Sequence, residues 1–115
     1  MKNLVQMVRG DSVNLYFSIE DSNSLDGKYR LTDADIVYFG VMLPHQKFEN
    51  ALIKKVLRKE NQDEHGDFLL KILPEDTVAM LPGVYYYAIK LRKNAKTDSE
   101  EVMTVVNKVK FIIHD

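Results

Sequence analysis

The chain contains no cysteine, which removes disulfides, thiolate metal sites and thiol nucleophiles together and favours folding in a reducing compartment. It contains no tryptophan either, and sugar-binding platforms recruit that residue most often. Its five glycines are scattered, so there is no glycine-rich phosphate loop, and neither a Gly-x-Ser-x-Gly elbow nor a Walker sequence occurs. Sixteen Lys and Arg stand against seventeen Asp and Glu, a net charge of -1, without the basic excess that marks a nucleic-acid surface. No apolar run approaches the roughly twenty residues that cross a bilayer as a helix. Gln6 breaks the apolar opening Met1 to Arg9, which reads as a first strand rather than a signal peptide. The expectation is one domain over residues 1–115, with no catalytic, cofactor-binding or metal-ligating residues and no nucleic-acid or membrane partner.

What the chain does have is strand periodicity. From Tyr85 onward, Tyr85, Tyr87, Ile89 and Leu91 point one way, and Tyr86, Ala88, Lys90 and Arg92 the other. That is a half-buried strand, entered through Pro82-Gly83 and preceded by a polar corner at Glu75-Asp76-Thr77. Val13, Leu15, Phe17 and Ile19 alternate in the same way. Ile36 to Leu43 is apolar on both faces, as a central strand would be, and Pro44 ends it because proline cannot donate to a ladder. Leu4 to Val8 and the basic run Ala51 to Arg58 suit edges. Phe68, Leu70 and Ile72 alternate towards the polar corner. Val102 to Val106 and Val109 to Ile113 close the chain as one bent strand or two short ones. Residues 21–28, 60–66 and 93–100 collect polar and turn-forming side chains and read as loops. Short strands at even spacing predict an all-β fold, an immunoglobulin-like antiparallel β-sandwich of about seven to eight strands, with a small Greek-key barrel as the alternative.

Four stretches carry a resemblance. Arg9-Gly10-Asp11 opens the strand of Leu15, Phe17 and Ile19. Tyr29-Arg30-Leu31-Thr32 precedes Asp35, Val37, Phe39 and Val41. Pro74-Glu75-Asp76-Thr77 precedes Leu81, Gly83, Tyr85 and Tyr87. Val102-Met103-Thr104-Val105 precedes Phe111-Ile112-Ile113. The pattern resembles the short immunoglobulin-like domains of tailed phages and prophages of Gram-positive bacteria, among them the N-terminal domains of upper baseplate proteins. It departs at Ala88, where that family often has Asp. The resemblance implies a non-enzymatic role in virion architecture (tail, baseplate, fibre or head decoration). The partners it implies are other phage structural proteins or further copies of the chain, and the location a virion assembled in the host cytoplasm. These motifs bear on fold more than on task. A carbohydrate-binding or host-adhesion sandwich is the second expectation.

The candidate residues fall into two sets. Asp76 and Thr77 can accept hydrogen bonds from nearby amides and tie the corner, Gly83 serves the turn, and Tyr85 or Tyr87 can reach back with its hydroxyl in the manner of a tyrosine corner. Tyr16, Tyr38 and Tyr86, with Lys90, are the candidate interface, because tyrosines on an outward sheet face mark contacts. Other features have plainer explanations. Arg9-Gly10-Asp11 is spelled like an integrin ligand but suits a turn. Asp63-Glu64-His65-Gly66-Asp67 lacks the ordered ligands of a calcium loop, and His45, His65 and His114 share no metal spacing. The lysine-rich runs 54–59 and 90–96 serve to blunt strand edges.

Overall fold

The computed structural model describes residues 3–115, in seven strands, one turn of α-helix and two 3-10 turns at Phe48–Asn50 and Lys59–Asn61. The strands are β1 (Val5–Val8), β2 (Val13–Phe17), β3 (Ile36–Met42), β4 (Ile53–Leu57), β5 (Phe68–Ile72), β6 (Gly83–Lys93) and β7 (Glu101–His114), with α1 (Pro74–Thr77) between β5 and β6. They form a β-sandwich of two unequal sheets, one ordered β1-β7-β6-β3-β4 and the other β2-β5. The central trio β7-β6-β3 flanked by β4, facing the β2-β5 pair, is the immunoglobulin strand arrangement. All pairings are antiparallel except β1 with β7, which run parallel from Val5 opposite Phe111 to Val8 opposite His114. That pair departs from the expected wholly antiparallel sandwich: β1 reaches the sheet beside the strand that ends the chain.

The alternation read from the sequence is the inside-outside pattern of the sandwich. Val37, Phe39 and Val41 of β3, Tyr85, Tyr87, Ile89 and Leu91 of β6, and Phe111 and Ile113 of β7 all turn inward. They meet Phe17, Phe68, Leu70 and Ile72 from the smaller sheet. Phe17 and Phe68 lie directly opposite one another across β2/β5 and stack with centroids 4.9 Å apart. Burying each such side chain contributes about 1.5–3 kcal/mol, so a core of this kind needs no disulfide. β3, paired on both sides, is central as its two-faced apolarity predicts. β1 and β4 each pair on one side, as edges do.

The final stretch is one bent strand. Within the β6/β7 pair, Tyr87 faces Val109, Ile89 faces Val106 and Lys90 faces Thr104, so β7 carries one extra residue opposite Ala88 and a second between the partners of Ile89 and Lys90. Lys108 takes φ +42 at the first of these bulges, and the strand bends there. The polar corner is one turn of helix, with Pro74 at its start, where a missing amide costs nothing.

The residues named for the polar corner make separate contacts. The Tyr85 hydroxyl donates to the Leu81 carbonyl at 2.5 Å, which is the tyrosine corner. The Tyr87 hydroxyl instead donates to the Asn3 carbonyl at 2.7 Å and so anchors the strand leading into β1. Thr77 is fully buried and its hydroxyl oxygen accepts from the Gly10 amide. Gly10, at φ +83, is the third residue of the four-residue turn Val8-Arg9-Gly10-Asp11, closed by the Asp11 amide on the Val8 carbonyl. That tripeptide is therefore a turn locked to the corner. Asp76 accepts from the Leu73 amide and pairs with Lys55 at 2.6 Å. Gly83 enters β6 at φ +155, a conformation that disfavours any side chain.

Candidate functional site

The outward face of the five-stranded sheet is built from the residues that alternate against the core. Tyr38 and Gly40 of β3, Lys54 and Val56 of β4, Ala88, Lys90 and Arg92 of β6, and Val102 and Thr104 of β7 share it. A sheet face this size would be flat, but the connection from β3 to β4 crosses it. The turn at Phe48–Asn50 lays the Phe48 ring over Gly40. A Cβ on Gly40 would stand 3.1 Å from that ring and 3.0 Å from the Ala51 methyl. Met42, Ala51 and Ala88 are buried beneath Phe48 as a second small core. Ala88 therefore points outward as its position in the alternation requires, yet it is covered. A carboxylate there would be buried under an aromatic ring.

Beside Phe48 the face opens into a hollow of about 480 Å³, lined by Tyr38, Phe48, Val56 and Val102 together with the cations Lys54, Lys55, Lys90 and Arg92 and the carboxylates Glu49 and Glu100. Val56 and Val102 are more than half exposed in it, at 52 % and 64 %. The Lys90 ammonium lies 4.8 Å from the Phe48 ring centroid, which fixes the side chain without neutralising it. Arg92 is bound to Glu100, and this pair holds the guanidinium above its ordinary pKa and the carboxyl below its own. The Tyr38 hydroxyl adds to the first shift. Among the described residues, Lys54 and Lys90 have no carboxylate at ion-pair distance, whereas Lys55 is occupied by Asp76. Among the described residues, the hollow thus combines apolar walls with two unpaired cations, Lys54 and Lys90, and one unpaired carboxylate, Glu49.

Of the four interface candidates, Tyr38 and Lys90 are cross-strand neighbours and both belong to the hollow. Tyr86 shares their sheet face, half-buried between Met42 and Lys110, but lies beyond Phe48 from the hollow. Tyr16 does not join them. It is 65 % exposed on the outer side of β2, in the opposite sheet, so the expected contiguous tyrosine patch is not formed. Alternation places a residue outward but leaves open which of two outward faces it occupies. Phe48, Val56 and Val102 went unnoticed in the sequence. An isolated glycine inside a strand, opposite small Ala88 and Ala51, was the available signal for a close approach.

The other notable polar group is Asp35, buried at the head of β3. Its carboxylate accepts from the Tyr29 hydroxyl at 2.6 Å, the Thr32 amide at 2.9 Å and the Asn94 amide at 3.0 Å. Burial alone would raise its pKa, but these donors outweigh burial and leave it below the ordinary carboxylate value. Burial first, and the charged Asp35 second, push the Tyr29 phenol far up. These bonds close the β2–β3 connection on itself and tie it to the β6–β7 connection, which is a structural task. Among the described residues, no cluster of three or more His, Asp or Glu is placed to share a metal ion, and no helix is long and apolar enough to cross a membrane.

Comparison with known proteins gives no family: no family model matches the chain, and no curated protein matches it significantly.

Proposed function

We propose that the chain is a non-enzymatic structural or assembly module of a phage or prophage virion, working by protein–protein contact through the outer face of its five-stranded sheet. The observation that carries this reading is the hollow itself. It offers exposed aliphatic and aromatic surface ringed by charged side chains, four cations and two carboxylates, the composition of an interface core and rim, on the outer face of the five-stranded sheet. The sequence pattern that resembles phage immunoglobulin-like domains supplies the setting. The direct test is mass spectrometry of particles purified from the strain that carries the gene. Recovery of the chain at a fixed copy number per particle supports the assignment, and its absence from intact particles overturns it.

A glycan-binding role is the second reading, favoured by the two rings, Tyr38 and Phe48, that flank the same hollow. It requires a monomer that binds cell-wall polysaccharide, with binding lost in Tyr38→Ala.

A further inference from the structure

Charge is strongly segregated along this molecule, whose extents are 42 × 28 × 21 Å. The segments 18–35, 58–67 and 93–101 come together at one end of the sandwich, tied by Lys28 to Asp67, the Leu31 amide to Gln62, the Asn94 amide to Asp35, and Lys59 to Asp33. These segments hold twelve of the seventeen carboxylates and six of the sixteen cations. That end is six charges negative and the rest of the chain five positive, although the whole is nearly neutral.

At the acidic end stands one leucine with no cover. Leu25 is fully solvent-exposed, with a relative accessibility of 111 %, and Asp21 and Asp26 flank it in the sequence Asp21-Ser22-Asn23-Ser24-Leu25-Asp26-Gly27. The loop that presents it is held in shape. The Asp21 amide donates to the Gly27 carbonyl, the Ser24 amide to the Asp21 carbonyl, and the Gly27 amide to the Ser24 carbonyl. Asp21 also accepts from the Asn23 amide through its side chain, and Arg30 grips Asp26 through two nitrogens. A leucine held outward on a rigid acidic loop is a preorganised anchor, since little loop entropy remains to be lost on docking.

Resting on the assembly reading, we propose that the occupant of the hollow is the Leu25 loop of a second copy of this chain. Leu25 enters between Phe48, Val56 and Val102, while Asp21 and Asp26 meet Lys54 and Lys90 at the rim. Knob and hollow are different surfaces of one molecule, so the contact is heterologous and propagates head to tail.

Light scattering behind size-exclusion chromatography tests this, using the full chain at rising concentration and low salt, with Leu25→Ser, Val56→Glu and their mixture. Both substituted side chains are exposed, so each variant should keep the melting temperature of the parent. The expected results are a parent mass that climbs with concentration past the dimer, and at least about tenfold weaker association for each variant alone, as for loss of an anchor residue. A 1:1 pair should form when the two are mixed, because Leu25→Ser keeps the hollow and Val56→Glu keeps the knob. A parent that stays monomeric overturns the proposal. So does association that survives Leu25→Ser, or variants that fail to complement. If association is lost with Val56→Glu but not with Leu25→Ser, the sheet face still assembles and only the Leu25 loop is excluded. Particle composition decides the virion reading independently of all these outcomes.

Discussion

Asp35 is the residue whose chemistry is most exposed to experiment. Its carboxylate is fully inside, yet it stays ionised because two amides and a phenol hydroxyl point at it. With its folded pKa below the unfolded value, it contributes stability that is present above the unfolded value of 3.8. That stability is lost as pH falls through the lowered folded value. Asp35→Asn should therefore lower stability by about 2 kcal/mol at neutral pH, since one donor would then meet an amide NH2. The variant should also show a shallower loss of melting temperature than the parent on acidification. Parallel slopes for the two proteins would assign the acid sensitivity elsewhere. Tyr86 makes the complementary case. It shares the outward sheet face but lies beyond Phe48 from the hollow, and among the described residues its hydroxyl makes no hydrogen bond, so Tyr86→Ser should weaken assembly less than Val56→Glu does while leaving the melting temperature nearly unchanged. A large fall in melting temperature would place Tyr86 in the fold instead.

At the scale of elements, β7 is two strands' worth of different stability in one. Phe111 to Ile113 lies between β1 and β6, while Glu101 to Val106 has β6 on one side and, among the described residues, no strand on the other. The bulge around Lys108 separates the halves. Amide hydrogen exchange should accordingly be much slower at Phe111–Ile113 than at Glu101–Val105, with the step at the bulge. Uniform protection along β7 would show that the open edge is covered in solution. Most of the strands were legible in the sequence, because β2, β5 and β6 each bury one face and so alternate strictly. β3 was legible for the opposite reason: its outward side is buried as well. The small helix at Pro74–Thr77 was visible only as a polar corner, since four residues are too few to show a period.

At the scale of the whole molecule, one end carries a net six negative charges and the rest of the chain a net five positive, an uneven charge distribution in a nearly neutral protein. Contacts between copies should be steered by it and screened by salt. Raising ionic strength from about 0.05 to 0.5 M shortens the screening length from roughly 14 to roughly 4 Å. Association followed by light scattering should weaken across that range, with folding stability little changed. Association that strengthens with salt would instead mark a contact dominated by apolar surface.

The sequence by itself determined the all-β class, the alternating faces of β2, β5 and β6 and the turn at Gly10, because each follows from alternation or backbone conformation within a few residues. The tertiary structure alone decided which outward face each tyrosine occupies, the burial of Ala88 under Phe48, and the grouping of acidic loops from three distant segments. These depend on which strands become neighbours and which connection crosses the sheet, and residues far apart in sequence meet there with no local pattern to announce it.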